Sequence, residues 1–312
     1  MRNFTVDQKG ELLDYLFGVL SDTKKTRVRQ FLKFKCVAVN NTVTTRHNYP
    51  LQSGDKVSIQ TGKQESNLQP EFGVRIVYED DFIVVADKPC GLLTIATEKI
   101  QKHTAIYAVN EYLNRKDAFS SKPRRSGDLS PLKLNKKIFI VHRLDKDTSG
   151  LIVFAKNEEV KFHMQENWGQ VKKKYYAIVE GVPKERKGTI ASYLRENQIL
   201  RMVASSRQTP DSKYAITHYQ VLESGPIYSL LEVDLETGRK HQIRVHLTSM
   251  GCPVAGDKDY GSRTNPAGRM ALHAFFLAFK HPVTGEKKEF QLELPPVLKH
   301  LLPRTISTDL CP

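Results

Sequence analysis

The residues best suited to do chemistry lie in the polar segment VHRLDKDTSGL, residues 141–151. Its one candidate nucleophile is Asp145, which lies between the cations Arg143 and Lys146. A nearby positive charge lowers the pKa of a carboxylate, so we expect Asp145 to be ionised and able to attack an electrophilic carbon. The alternative is that Asp145 and Asp147 only cap a turn, a role that suits Asp147 better.

Apolar runs flank this segment on both sides. The run IFIV (residues 138–141) precedes it and LIVFA (residues 151–155) follows it. Short runs rich in β-branched residues are typical of buried strands. A polar loop between two core strands is where a rigid scaffold presents reactive groups, so we predict a strand, an active loop and a second strand.

Two other segments have residues that could complete a site. DKPCGLL (residues 87–93) contains Lys88 and a turn stiffened by proline and glycine, which could also be a purely structural corner. KKKYYAIVEG (residues 172–181) predicts a strand in which Tyr175 and Tyr176 lie on opposite faces. One tyrosine should therefore face Asp145, although a tyrosine in a strand is commonly a core residue.

The segment LETGRKHQIRVHL, residues 235–247, concentrates hydrogen-bond donors. If a helix begins after Gly238, its first amides can bind an anion. On that helix Lys240 would share a face with Arg244, and Gln242 with His246. His241 and His246 do not have the HxxxH spacing of a metal site, so we predict no metal here.

Composition points to a polyanionic partner. The chain has 312 residues and a formal net charge of +14, which favours nucleic acid or an anionic membrane surface. No apolar run approaches the ~20 residues that span a bilayer, and the N-terminus has no signal-type apolar core. Four scattered cysteines without CxxC spacing predict reduced thiols in the cytoplasm, with no disulfide and no structural zinc.

The first 62 residues are predicted to form a separate module. Leucines and Phe17 recur at helical spacing over residues 12–20, and a second helix should start near Thr26 with Val28, Phe31 and Leu32 inward. VAVNNTV predicts a hairpin, and KVSI at residues 56–59 predicts a strand. The exposed face of the second helix is basic: Lys24, Lys25, Arg27, Arg29, Lys33 and Lys35. A charge run of one sign either is a solvated face or binds an anion.

This module resembles the S4 RNA-binding domain over residues 10–60. The resemblance implies that residues near Lys24–Lys35 hold RNA phosphates. A polar linker is expected at residues 63–73 and a second domain at 74–302, followed by a tail at 303–312. Residues 120–137 form a basic stretch that either contacts RNA or is disordered.

The second domain resembles the RluA-type pseudouridine synthases from about residue 76 to 294. The resemblance rests on KPCGLLT, VHRLDKDTSGLIVFAK, KKYYAIVEG, LETGRKHQIRVHL and ALHAFFLAFKHPVTGE, in family order. It implies an α+β fold. A small S4-like α/β domain is followed along the chain by a mixed, largely antiparallel sheet flanked by helices. It also implies an isomerase that needs neither cofactor nor metal and converts uridine in RNA to pseudouridine.

The resemblance also implies roles for individual residues. Asp145 would be the catalytic aspartate, Tyr175 would stack on the base and could assist removal of a proton, and Arg244 would pair with Asp145. Arg143 would enter the space left by a flipped-out uridine. His142 would contact the RNA as well. Further residues would position the RNA backbone or the loop: Lys88, Arg239, His241 and Gln242.

Other functions explain less of the sequence. A non-catalytic RNA-binding or ribosome-assembly protein would not need Asp145, Tyr175 and Arg244 together. A glycosidase needs two carboxylates at a fixed separation, and a membrane-surface protein leaves the polar motifs unexplained. Large-subunit rRNA is the expected substrate and tRNA the alternative. We expect a monomer with no DNA or membrane partner.

Overall fold

The computed structural model describes residues 2–33, 36–59, 69–120 and 137–302, without the side chains of 118–120. The chain divides into two compact units, Met1–Glu71 with Val109–Lys137, and Phe72–Ala108 with Ile138–Pro312. Most of the expected linker, the expected basic loop and the expected tail lie outside the described residues, as do Lys35 and Cys311.

The N-terminal unit combines two helices with short strands. The helices are α1 (Leu12–Val19) and α2 (Lys25–Lys33). The strands are β1 (Arg2–Thr5), β2 (Gly10–Glu11), β3 (Val37–Val39), β4 (Thr42–Val43), β5 (Pro50–Leu51) and β6 (Lys56–Ile59). A four-stranded sheet has the order β1-β6-β3-β4, and β2 pairs with β5. Both helices and β6 confirm the sequence-based expectations.

Apolar spacing and turn chemistry explain this unit. Val28, Phe31 and Leu32, spaced as one face of α2, are buried in its core as predicted. The predicted hairpin is β3–β4, and its turn residues Asn40 and Asn41 have φ of 49° and 65°. Asparagine tolerates this left-handed conformation, which two-residue hairpins require at both positions.

The second unit contains a large sheet with helices beside it. Its strands are β7 (Arg75–Glu79), β8 (Ile83–Lys88), β9 (Phe139–Ile140), β10 (Ser149–Ala155), β11 (Lys172–Glu180), β12 (Lys187–Glu196), β13 (Met202–Ser205), β14 (Lys213–Ser224), β15 (Tyr228–Leu235), β16 (Leu272–Lys280) and β17 (Lys287–Gln291). Its helices are α4 (Glu158–Glu166), α5 (Gln242–Ser249) and α6 (Pro296–Lys299). Helix α3 (Ala105–Ser120) begins in this unit, and its residues from Val109 onward fall in the first.

The strand order is β13-β12-β14-β15-β11-β16-β10-β8-β7, with β17 paired to β16 and β9 to β10. Among the described strands of this sheet, β10 and β16 pair in parallel and every other pair is antiparallel. The mixed sheet with helices confirms the α+β expectation for this part of the chain.

Strand β10 begins directly after the loop of Asp145 and is buried along its whole length. Gly150 is needed there because its φ is +115° and a Cβ would lie 2.1 Å from the carbonyl oxygen of Ala274. The strand before the loop is shorter than predicted. Of the run IFIV only Phe139 and Ile140 pair with β10, and both are half-buried.

Helix α5 begins at Gln242, three residues later than the position after Gly238 that the sequence suggested. The Gln242 side-chain oxygen accepts hydrogen bonds from the Arg239 amide and the Thr237 hydroxyl, both at 2.9 Å, which closes a loop in front of the helix. Lys240 therefore lies outside the helix and does not share a helical face with Arg244, so that expectation was wrong.

The second predicted pair on α5 is confirmed. Gln242 and His246 are both buried, and each hydrogen-bonds the hydroxyl of Thr217 on β14. Within the described residues, no helix is long and apolar enough to cross a membrane.

Candidate active site

Three of the segments singled out in the sequence meet around one cavity of about 480 Å³. It is lined by the loop before β10, by the start of β11 and by the segment that leads into α5. Asp145, Tyr175 and Arg244 all line it. Its volume falls within the range of small-molecule sites and suits one flipped-out nucleoside.

The DKPCGLLT segment holds the Asp145 loop in place. The buried ammonium of Lys88 donates to the carbonyls of Pro89 (3.0 Å), Leu92 (2.8 Å) and Lys146 (3.0 Å). The Thr94 hydroxyl donates to the Leu144 carbonyl at 2.7 Å. The loop is thus tied to the rest of the unit immediately before and after Asp145.

Of the two roles expected for Lys88, positioning the RNA backbone or positioning the loop, this anchoring favours the loop. Its side chain has no exposed surface, and its ammonium has three carbonyl partners within the protein. Burial lowers the pKa of Lys88 to about 8, and the carbonyls compensate for the lost hydration of its charge. Lys88 supports the loop from within the protein.

Each carboxylate oxygen of Asp145 faces a different nitrogen. Oδ2 lies 3.6 Å from Arg244 Nη1, and Oδ1 lies 3.9 Å from His241 Nε2. The Asp145 side chain is 29% exposed, so it can be reached from the cavity. The flanking Arg143 and Lys146, which suggested an ionised aspartate in the sequence, are both exposed.

Arg244 is held mainly by another carboxylate. Its Nε and Nη2 donate to the two oxygens of buried Asp257 at 2.6 and 2.7 Å, and Nη2 also donates to Asp259 at 3.0 Å. Burial alone would lower the pKa of Arg244, but the hydrogen bonds and charge of Asp257 raise it above its ordinary value. Only Nη1 is directed to Asp145, and the ring of Tyr260 lies 4.6 Å from the guanidinium carbon.

The sequence reasoning missed Asp257, Asp259 and Tyr260. They lie in the run GDKDYG, residues 256–261. Two carboxylates and a tyrosine between turn-forming glycines were the available signal. Their importance depends on a contact with α5, which no local pattern predicts.

Tyr175 and Tyr176 lie on opposite faces of β11, as predicted. Tyr175 lines the cavity, whereas Tyr176 stacks on Phe275 with ring centroids 3.7 Å apart. Burial and then the charge of Asp145 raise the pKa of Tyr175 well above its ordinary value. Tyr175 therefore lines the cavity as a neutral phenol, close to the acidic side chain of Asp145.

Two predicted RNA contacts have partners inside the protein instead. The ring of His142 stacks on Trp168 at 4.3 Å, and its Nε2 accepts from the Val153 amide at 3.1 Å. Burial lowers the pKa of His142 to about 3, so it is neutral. The Gln242 amide donates to the Ile216 carbonyl and the Thr217 hydroxyl, both at 2.9 Å. Gln242 is 2% exposed, so of the two roles expected for it, positioning the RNA backbone or positioning the loop, the structure favours the loop.

The remaining predicted residues lie on surfaces. Arg143 and Arg239 are exposed where they border the cavity, and Arg239 donates to the Tyr214 carbonyl at 3.1 Å. The residues predicted to hold RNA phosphates lie in the N-terminal unit, on or next to α2: Lys24, Lys25, Arg27 and Arg29. Lys25 and Arg29 both lie over the ring of Phe17. Among the residues that the structure describes, no group of three or more His, Cys, Asp or Glu side chains could hold a metal ion.

Comparisons with known proteins show which family the chain is similar to. The family model described as RNA pseudouridylate synthase matches residues 82–249. The chain is 35% identical over 302 residues to the uncharacterized RNA pseudouridine synthase YlyB of Bacillus subtilis, covering 95% of this chain and 94% of that protein. It is 34% identical to the ribosomal large subunit pseudouridine synthase D of Nitrosomonas europaea, covering 92% and 82%. The solved structure of human RNA pseudouridylate synthase domain containing 4 aligns with a TM-score of 0.56 at 26% identity, covering 72% and 90%.

Proposed function

The chain belongs to the RNA pseudouridylate synthase family, and we propose that its substrates are uridines of large-subunit ribosomal RNA. It is an isomerase that converts uridine in RNA to pseudouridine. The observation that carries the proposal about its site is the convergence of Asp145, Tyr175 and Arg244 on one cavity. The target proposal rests on relatives named ribosomal large subunit pseudouridine synthase D in Nitrosomonas europaea and Vibrio cholerae.

The reaction breaks the bond between uracil N1 and ribose C1′ and forms a bond between C5 and C1′. One proton leaves C5 and one is acquired at N1, so the atoms balance and no other reactant is consumed. We assign to Asp145 the role of stabilising or attacking C1′ while the base is detached. Arg244 orients this carboxylate through Nη1, which lies 3.6 Å from Oδ2.

Tyr175 is proposed to stack on the detached base while it turns. Its ring lines the cavity from β11, and its raised pKa keeps the hydroxyl protonated at neutral pH. A phenolate at this position would face the charge of Asp145, which the protein disfavours. We therefore propose stacking, and not proton removal, as the role of Tyr175.

Entry of a uridine into the cavity requires base flipping if the uridine is stacked in RNA, at a cost of a few kcal/mol. We propose that the exposed side chain of Arg143 enters the space left by the base and that Arg239 contacts the RNA backbone at the rim. Arg143 can point outward because the loop beneath it is fixed by Lys88 and Thr94.

We propose that residues 1–62 are an S4-like RNA-binding domain and 74–302 the catalytic domain, joined by 63–73 and followed by a tail at 303–312. Two helices with their own buried core, a basic α2 and the β3–β4 hairpin support this division. The net charge of +14 suits a polyanionic substrate. We further propose a monomer that acts on RNA and not DNA in the cytoplasm.

The target class is tested with RNA from a strain that lacks this gene. Pseudouridines are mapped in its large-subunit rRNA and tRNA by chemical modification and primer extension. We expect one or more sites in large-subunit rRNA to be lost, and to return when the wild-type gene but not Asp145→Asn is supplied. Loss confined to tRNA would overturn the rRNA assignment, and no loss in any RNA would overturn the proposal as a whole.

A further inference from the structure

The turn Gly256–Gly261 supports the active site from the side opposite to the substrate cavity. Gly256 has φ of +81°, and a Cβ there would lie 2.3 Å from the Arg269 carbonyl oxygen, so only glycine fits. Asp257 follows directly after this glycine. It is 2% exposed and its carboxylate accepts a hydrogen bond from Arg244. Tyr260 follows on the same turn, is 7% exposed and contacts His241.

The hydrogen bonds of the Tyr260 hydroxyl determine the tautomer of His241. Its oxygen accepts from the Met202 amide at 3.1 Å and lies 2.8 Å from His241 Nδ1. Among the described residues these are the two hydrogen-bond partners of the hydroxyl, and since an amide N–H can only donate, Nδ1 is the one partner that can accept the tyrosine's own proton. We therefore assign the neutral imidazole with Nδ1 unprotonated and the proton on Nε2.

That Nε2–H points to the catalytic carboxylate. Nε2 lies 3.9 Å from Asp145 Oδ1, while Oδ2 faces Arg244 Nη1. His241 reaches this position from a left-handed backbone conformation, with φ of 54° and ψ of 19°. Such strain in a residue with a side chain costs about 1 kcal/mol or more and is typical of functional sites.

The charges around His241 favour its neutral form on balance. Burial lowers its pKa, the charge of Asp145 opposes this effect, and Arg244 and Lys240 lower it further. The charge of Asp257 also raises the pKa of His241. The Tyr260 hydroxyl donates to the neutral form of the His241 ring. A neutral ring with a fixed proton can orient Asp145 without neutralising it.

We propose that Tyr260 is a positioning residue that locks His241 as the Nε2–H tautomer, so that His241 and Arg244 together orient Asp145. This inference rests on the proposed role of Asp145. The separation of 3.9 Å exceeds a hydrogen bond and is expected to shorten when substrate fills the cavity, as catalytic contacts commonly do. The carboxylate is then held at both oxygens, with its remaining lone pairs free for the sugar.

The test uses a double-mutant cycle in the full chain. His241→Gln places a carboxamide NH₂ near the position of Nε2 and has no tautomer to choose. We expect Tyr260→Phe to lower the single-turnover rate by ~10- to 100-fold when His241 is present, the scale found for residues that orient a reacting group. In the His241→Gln background the same change should cost less than about twofold, and His241→Gln should be faster than His241→Ala.

The controls separate positioning from folding. Tyr228→Phe removes a hydroxyl bonded to Thr264 outside the cavity and should leave the rate unchanged. An equal loss from Tyr260→Phe in both backgrounds would mean that the hydroxyl acts only through the Met202 amide, and would overturn the proposal. The proposal would also be overturned if Tyr260→Phe, with His241 present, reacted at the same rate as an active wild type.

Nitrogen NMR of histidine-labelled wild-type protein gives a measurement that needs no variant to fold. Nδ1 of His241 should resonate as an unprotonated ring nitrogen and Nε2 as a protonated one. The reverse pattern would overturn the inference. Failure of the proposed function is distinguishable, because it would be the absence of pseudouridine formation by the wild type itself.

Discussion

Asp145 has one oxygen toward an arginine and the other toward a histidine, and both partners are held from behind. Asp257 binds two nitrogens of Arg244, which leaves Nη1 for Asp145. A guanidinium shared in this way is fixed in direction, so it orients the nucleophile without closing over it. The distance of 3.6 Å leaves the carboxylate free to reach C1′.

The neutral phenol of Tyr175 yields a prediction at the scale of one residue. Because burial and Asp145 raise its pKa, the hydroxyl should not act as a base. Tyr175→Phe should therefore keep the rate of pseudouridine formation within about threefold of wild type, since the stacking surface remains. Tyr175→Ala should lower it by at least tenfold, roughly the worth of one base-stacking contact. A Phe variant as slow as the Ala variant would instead make the hydroxyl part of the chemistry.

The residues that carry out the chemistry were easier to predict from the sequence than the residues that hold them in place. Asp145, Tyr175 and Arg244 were predicted through a family resemblance and do line one cavity. For Lys88 the sequence left open a role at the RNA backbone or in the loop, because burial cannot be read from a charged residue in a turn, and its three carbonyl partners favour the loop. Tyr260 was missed because it acts through a contact with a residue 19 positions away.

At the scale of elements, the site depends on loops fixed to a rigid sheet. The loop before β10 is tied by Lys88 and Thr94, and β10 itself is a fully buried strand between β8 and β16. Alternation correctly predicted that one tyrosine of β11 faces the cavity, and the family resemblance named Tyr175 as that residue. The length of β9 and the start of α5 were not predictable, since pairing partners and the side-chain bonds of Gln242 decide them.

The stacking contact between His142 and Trp168 predicts how stability depends on pH. The pKa of His142 falls from 6.5 to about 3 on burial, so the unfolded state binds a proton that the folded state does not. Its contribution is complete above pH 6.5 and is lost on acidification, by about 1.4 kcal/mol per pH unit. His142→Gln removes this term, so its free energy of unfolding should fall less steeply with decreasing pH.

The measurement is urea denaturation followed by fluorescence of Trp168, the single tryptophan of the chain, from about pH 8 to about pH 5. Wild type and variant should differ in slope below pH 6.5 and run parallel above it. Parallel curves over the whole range would mean that His142 is not held neutral.

At the scale of the whole molecule, a basic N-terminal unit accompanies a catalytic unit with its own sheet. The excess of 48 Lys and Arg over 34 Asp and Glu gives long-range attraction to RNA, whereas specificity must come from local contacts. Helical spacing and the Asn40-Asn41 turn made most of the N-terminal unit predictable. The strands β1, β2 and β5 were missed because they are short and lack an apolar pattern of their own.

The basic face of α2 is tested by its effect on salt dependence. Changing Lys24, Lys25 and Arg29 together to Ala should weaken RNA binding and reduce the slope of log K against log salt by about 2 to 3, because each lost phosphate contact releases no counterion. A control variant with Lys280, Lys287 and Lys299 changed to Ala removes the same charge from exposed positions of the second unit. If both variants lower the slope equally, the face of α2 has no special role.

The central claim, that Asp145 carries out the isomerisation, has a direct test with a matched carboxylate in the same loop. Wild type, Asp145→Asn and Asp147→Asn are incubated with large-subunit rRNA transcripts, and pseudouridine is mapped by chemical modification and primer extension. The geometry predicts product with wild type and with Asp147→Asn, and a loss of at least about a thousandfold with Asp145→Asn, the scale of losing a nucleophile. Equal product from Asp145→Asn and wild type would contradict the assignment of the nucleophile.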